Sequence, residues 1–211
     1  LASIAGALAR GGIDVIKDDH GLADQASAPF RARVAAVQEA VDAANRATGG
    51  RTIYAPSVTG DLDAMHAQVR FAREAGAGAI LVAPMVSGVS SLAALARYAG
   101  LPILAHPSLA GAARLAPPVL LGTLFRLFGA DATIFTNAGG RFGYSRESCD
   151  AIVRAAREPR AGLAPTLPVP AGGMSVERVG AMRATFGDDT MFLIGGDLLA
   201  AGGALESRCR A

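Results

Sequence analysis

Gly11-Gly12-Ile13-Asp14-Val15-Ile16-Lys17-Asp18-Asp19-His20 is the stretch that decides the fold. A helical pattern (Leu1, Ile4, Ala5, Leu8) runs into the paired glycines, a β-branched run follows, and four polar residues close it. Helix, turn, strand and polar rim in that order make one unit of a parallel α/β fold. In such folds crossover helices alternate with strands, and polar chemistry collects at the strands' carboxyl ends.

The unit recurs down the chain. Short apolar runs stand at 13–17, 52–55, 79–83, 102–106, 132–136, 167–170 and 190–194. Helical segments fall between them: 30–47, from Asp61 onward, 90–98, 117–128, 146–157 and 175–186. In the first of these, Phe30, Val34, Val37, Ala40, Val41 and Ala44 share one face, and Asp61 is placed to cap the second. Units of roughly 25–30 residues close an eight-stranded barrel in about 250 residues. Seven runs preceded by a helix with no strand before it therefore predict a (β/α)8 TIM barrel without its first strand. The rival, a doubly wound open sheet, lacks its early Gly-rich dinucleotide fingerprint. The chain is read as one catalytic barrel domain over 1–211, incomplete at both ends. It starts inside a helical pattern without Met, and 206–211 has no apolar periodicity.

Composition narrows the partners. With 51% hydrophobic and 18% charged residues the chain supports a large core and is too apolar for disorder. The formal charge of +2 comes without a basic block interleaved with aromatics, which excludes nucleic acid. No signal peptide and no long apolar run appear, so no membrane partner is expected. Cys149 and Cys209 share no CxxC spacing, which fits a reducing, cytoplasmic setting.

Candidate chemistry stands at the strand ends. Lys17-Asp18-Asp19-His20 packs two carboxylates, an imidazole and an amine into four residues. A hard divalent cation such as Mg²⁺ would neutralise it, although a solvated polar turn accounts for the cluster equally well. Gly172-Gly173 and Gly195-Gly196 follow the last two runs, where backbone amides of such barrels hold a phosphate; tight turns are the plainer alternative. Arg141 reads as a phosphate clamp or oxyanion stabiliser, or as a loop cation in water. His106 reads as a base or substrate donor, or as a buried, hydrogen-bonded histidine.

These motifs, in this order, resemble the RuBisCO large chain. Residues 11–20 are similar to its GGxDxxKDDE segment, 71–76 to FARELG, and His106 to the His after its fifth barrel strand. Residues 139–143 resemble the mobile loop VGKLEG, 168–173 PVxSGG, 186–189 FGDD, and 194–196 the phosphate-binding FGG. The resemblance implies that Lys17 forms a carbamate with CO₂. It implies that this carbamate binds Mg²⁺ together with Asp19 and His20, and that the metal polarises a ketose carbonyl toward an enediolate. Ala171, Gly172, Gly173, Gly195 and Gly196 would hold one phosphate, with Arg141 near it. Catalysis would fall to Lys17, His106 and Arg141. A homodimer is implied, its site completed by a partner's N-terminal domain that this chain lacks.

Five departures redirect that expectation. His20 stands where the family has Glu, an uncharged and softer ligand. Pro107 replaces an Arg, and Phe135 a His, on the family's second phosphate. Arg141 replaces the mobile-loop Lys, and Ala171 the Ser before Gly-Gly. The resemblance therefore implies a form IV RuBisCO-like protein. Such an enzyme would use Mg²⁺ to enolise, decarboxylate or isomerise a phosphorylated ketose or sugar acid, and the KDDH variant inclines toward a 3-oxo-isoapionate 4-phosphate type. The alternatives are a true ribulose-bisphosphate carboxylase and a non-catalytic phosphate-binding barrel.

Overall fold

Strand-end prolines and alternating apolar residues shape the sheet. The computed structural model describes residues 1–140 and 143–210. Helix α1 (Ala2–Arg10) leads, followed by β1 (Val15–Lys17), α2 (Phe30–Thr48), β2 (Ile53–Ala55), α3 (Leu62–Glu74) and β3 (Ile80–Val82). Next come α4 (Pro84–Ser87), α5 (Val89–Tyr98), β4 (Ile103–Ala105), a π-helical stretch Pro118–Leu124 running into α6 (Phe125–Leu127), and β5 (Ala132–Thr136). The chain continues through α7 (Arg146–Arg157), β6 (Leu167–Ala171), α8 (Val179–Phe186), α9 (Gly196–Ala200) and α10 (Leu205–Arg210). Asp61 caps α3 as expected, accepting from the Ala64 amide.

Among the described residues the named strands pair in parallel and follow chain order. β1 pairs with β2, and β3-β4-β5-β6 form a second run. A bridge between Ser57 and Leu81 joins the two into one sheet. A doubly wound sheet would reverse order at a switch point; this one never does.

The expected seventh strand is a correction. Residues 190–194 are not a strand, although the Met191 and Leu193 amides donate to the carbonyls of Pro168 and Pro170 at 3.1 and 3.2 Å. A parallel ladder needs amides from both sides. Proline has none to give, so the ladder runs one way only.

Two apolar layers identify a barrel. The inner cluster draws alternate residues from all seven runs, among them Val15, Ala55, Leu81, Leu104, Ile134, Val169 and Leu193. The intervening residues Ile16, Tyr54, Ile80, Val82, Ile103 and Phe135 face the helices. Period-2 alternation thus separates an interior filled by strands alone from an outer shell. The helix ring also meets itself: α10 packs on α1, where a Cβ on Gly11 would lie 2.4 Å from that of Cys209. Arg10 Nε pairs with Glu206 Oε2 at 2.9 Å across this seam.

Cys149 is buried and Cys209 partly buried, and both are free thiols. Among the described residues no helix is long and apolar enough to cross a membrane.

Candidate active site at the carboxyl ends of the strands

β1 ends on Lys17, whose Nζ donates to the Asp18 carbonyl at 3.0 Å. Burial is the main influence on this amine and lowers its basicity, against the opposing pull of Asp19 and Asp18. Asp19 and His20 are exposed. Asp19 Oδ1 accepts from the Gly21 amide at 2.8 Å, and its Oδ2 lies 3.8 Å from His20 Nδ1.

The two acidic neighbours have different fates. Asp18 points toward the helix layer, on the same face as Ile16, and is buried. Its Oδ2 meets Arg33 Nε at 3.0 Å and the Ser57 amide at 3.1 Å, and Tyr54 Oη donates to its Oδ1 at 2.8 Å. One of the two carboxylates in the cluster is therefore neutralised by the protein itself. Arg33 Nη1 also donates to the Ala23 and Ala28 carbonyls, at 2.8 and 2.6 Å. The same guanidinium thus folds the loop that carries Asp19 and His20.

His20 reaches across the strand ends and stacks on His106, with ring centroids 4.0 Å apart and planes at 14°. His106 follows β4, so residues from two separate strands meet here. Burial first, then the nearby His20 and Lys17, lower the His106 pKa to about 3. The Ser108 amide donates to His106 Nδ1 at 3.2 Å, with Ser108 Oγ 2.8 Å from the same nitrogen. A ring nitrogen that accepts from an amide carries no proton, which leaves Nε2 as the N–H of the neutral ring.

A second group lies between the loops after β5 and β6. Gly172 and Gly173 take φ of +80° and +63°, conformations that favour glycine. Gly195 has an ordinary φ of −93°, and Gly196 is not among the positive-φ glycines. Left-handed backbone therefore explains only the first pair. Among the described residues, none of these four amides donates to a backbone carbonyl. Ala171 closes β6 and accepts from the Asn137 amide at 2.8 Å. The Val176 amide donates to Asp197 Oδ2 at 3.3 Å, bringing the start of α9 beside the first glycine turn. Arg141 lies outside the described residues.

Sequence reasoning overlooked Arg33, Tyr54, Ser108 and Arg178. The available signal for Arg33 was a charge within the apolar stripe of Phe30, Val34 and Val37. The placing of Phe135 is corrected: it points into the helix layer and packs edge-on against Phe186. Its barrel-facing neighbour is Ile134, so β5 presents no imidazole either way.

Among the described residues no three His, Cys, Asp or Glu side chains gather to hold a metal. The donors at β1 are Asp19, His20 and the Lys17 amine. A carbamate needs a neutral amine to form, so the depressed basicity of Lys17 fits one, and the carbamate would add the missing anionic oxygen.

The chain is similar to several known proteins. Residues 1–117 match the family model "Ribulose bisphosphate carboxylase large chain, catalytic domain". The chain is 55% identical to 5-methylthioribulose-1-phosphate isomerase of Rhodospirillum rubrum, over 95% of this chain and 54% of that protein. It is 34% identical to 2,3-diketo-5-methylthiopentyl-1-phosphate enolase of Geobacillus kaustophilus, over 90% of this chain and 48% of that protein. The crystal structure of a RuBisCO-like protein from Rhodopseudomonas palustris superposes with a TM-score of 0.93 at 52% identity, covering 99% of this chain and 57% of that one. The chain thus spans about half the length of the relatives it matches.

Proposed function

Because the chain belongs to the RuBisCO large chain family, as a form IV RuBisCO-like protein, we propose that it is the barrel of an isomerase acting on a singly phosphorylated ketose such as 5-methylthioribulose 1-phosphate. The observation that carries this reading is the meeting of Lys17, Asp19, His20 and His106 at one end of the sheet. The sequence inclined toward a sugar-acid phosphate. The 55% identity to a protein named for the methylthio ketose weighs toward the latter.

Carbamylated Lys17, Asp19 and His20 would hold Mg²⁺, which would supply Lewis-acid polarisation of the ketose carbonyl. His106 acts as a neutral donor. Its pKa of about 3 keeps it uncharged at neutral pH, and its Nε2–H would donate to the substrate oxygen on which negative charge develops. A neutral imidazole in a partly buried site stabilises an enediolate oxygen without itself titrating. Arg141 and the amides of Gly172, Gly173, Gly195 and Gly196 would bind the phosphate, with Ala171 lining the approach. Pro107 and the apolar inner face of β5 leave no cationic partner there for a second phosphate, which supports a monophosphate over a bisphosphate. The active protein is proposed to be a cytoplasmic homodimer whose site is completed by a partner's N-terminal domain.

The test is incubation of the full-length protein with Mg²⁺ and bicarbonate in D₂O, followed by proton NMR. Deuterium should enter the carbons flanking the carbonyl of 5-methylthioribulose 1-phosphate as the ketose is isomerised. Exchange only into 3-oxo-isoapionate 4-phosphate would return the sugar-acid reading, and fixation of labelled CO₂ on ribulose bisphosphate would establish a carboxylase. Phosphate-ester binding indifferent to Mg²⁺ and bicarbonate, with no exchange, would leave a binding barrel.

A further inference from the structure

Arg178 lies in a short 3₁₀ turn, Val176–Arg178, just before α8. Its Nη1 donates to the Gly173 carbonyl at 2.5 Å and its Nη2 to the Ala138 carbonyl at 3.3 Å. One guanidinium therefore spans the loop after β5 and the glycine turn after β6. The planar fork of arginine can hold two carbonyls at fixed separation, which the single ammonium of lysine cannot do.

The surroundings are built for that span. Cβ atoms added at Gly139 and Gly173 would reach ordinary contact with Nη2 and Nη1, at 3.8 and 3.6 Å, so the guanidinium lies directly over both turns, and the Gly173 Cβ would also crowd the Gly140 Cα at 3.1 Å. The two loops also touch directly: a Cβ on Gly140 would lie 2.8 Å from the Gly172 carbonyl oxygen. A second tie runs parallel. Asn137, only 1% exposed, points its Nδ2 at the sulfurs of Met174 and Met182, at 3.4 and 3.0 Å. Met174 is the residue after Gly173, so the same two loops are joined twice, once beneath the surface and once at the rim.

We infer that Arg178 is a positioning residue that locks the loop after β5 to the Gly172-Gly173 turn, so that the two present their amides to an anion as one unit. This rests on the proposed reading of the glycine turns as the phosphate site. Removing the guanidinium frees the loops to separate, although the buried Asn137 tie keeps the barrel folded.

The experiment uses the full-length protein with inorganic phosphate as probe, titrated calorimetrically into wild type, Arg178→Met, Arg178→Lys and Gly173→Ala. Amide hydrogen exchange is followed in parallel. Wild type should bind phosphate, and Gly173→Ala should lose it. Arg178→Met should raise the Kd tenfold or more, and Arg178→Lys should recover at most part of that loss. In both Arg178 variants the Ala138 and Gly140 amides, which donate to Asn137, should exchange faster, with α3 unchanged. A phosphate Kd within twofold of wild type in Arg178→Met, while Gly173→Ala loses binding, would overturn the role of Arg178 alone. No binding by wild type, or full binding by Gly173→Ala, would overturn the phosphate-site reading and this inference with it. General loss of exchange protection in Arg178→Met, α3 included, would make Arg178 a fold residue and contradict the positioning role.

Discussion

Arg33 Nε lies 3.0 Å from Asp18 Oδ2, and both side chains are almost wholly buried, at 1% and 5% exposure. A buried pair contributes less than its Coulomb energy suggests, because both charges have left water. Breaking it is costly, because one charge remains without a partner. Arg33→Met should therefore destabilise the full-length protein by about 3–5 kcal/mol. Adding Asp18→Asn should recover part of that loss. Urea unfolding reads both, and a loss below about 1 kcal/mol for Arg33→Met would mean that Tyr54 and Ser57 suffice to hold Asp18.

His106 makes stability depend on acid. Its pKa falls from 6.5 unfolded to about 3 folded. Between these values the unfolded chain binds more protons, so stability rises with pH across that window and is lost as pH falls from 6.5 toward 3. His106→Gln should flatten this part of the curve relative to wild type. Parallel curves for the two proteins over that range, followed by thermal unfolding, would contradict the assignment.

Two glycines in helical segments should respond oppositely to alanine. At Gly122 a Cβ would stand 2.6 Å from the Ala155 Cβ and 2.9 Å from the Ile152 carbonyl oxygen. It would force the π-helical stretch away from α7, and Gly122→Ala should cost about 1–3 kcal/mol. Gly180, in α8, has nothing within 4 Å of such an atom. Gly180→Ala should stabilise by about 0.5–1 kcal/mol through helix propensity. Denaturant midpoints with unchanged slopes check the pair, and a shared sign would contradict it.

The one-way ladder of the seventh run predicts an alternating pattern of protection. The Met191 and Leu193 amides, bonded to Pro168 and Pro170, should exchange slowly, and Phe192 between them quickly. Uniform protection over 191–193 would indicate a complete strand.

That run also marks where the sequence was misleading. Its apolar content matched six other runs that are strands, and period and composition placed β5 and α7 at their observed limits. The ladder failed because of prolines on a neighbouring strand, which the run's own residues cannot report. At the site, Lys17, Asp19 and His20 were legible because they adjoin in sequence and close a strand. The stacking of His20 on His106 was not, since it depends on how two loops from separate strands lean toward each other. Nor was the turn of Asp18 toward the helix layer, which follows from strand alternation only once the buried Arg33 is known to wait there. Arg178 escaped notice because its bonds go to backbone carbonyls, which no residue pattern records.

The proposed enolisation at the end of β1 runs through Lys17. In the full-length protein with Mg²⁺ and bicarbonate, wild type should exchange solvent deuterium into 5-methylthioribulose 1-phosphate. Lys17→Ala should lose that exchange by a factor of roughly a thousand or more, on the scale of removing a principal catalytic group, while keeping its affinity for inorganic phosphate. Exchange by Lys17→Ala at the wild-type rate would mean that Lys17 takes no part in enolisation.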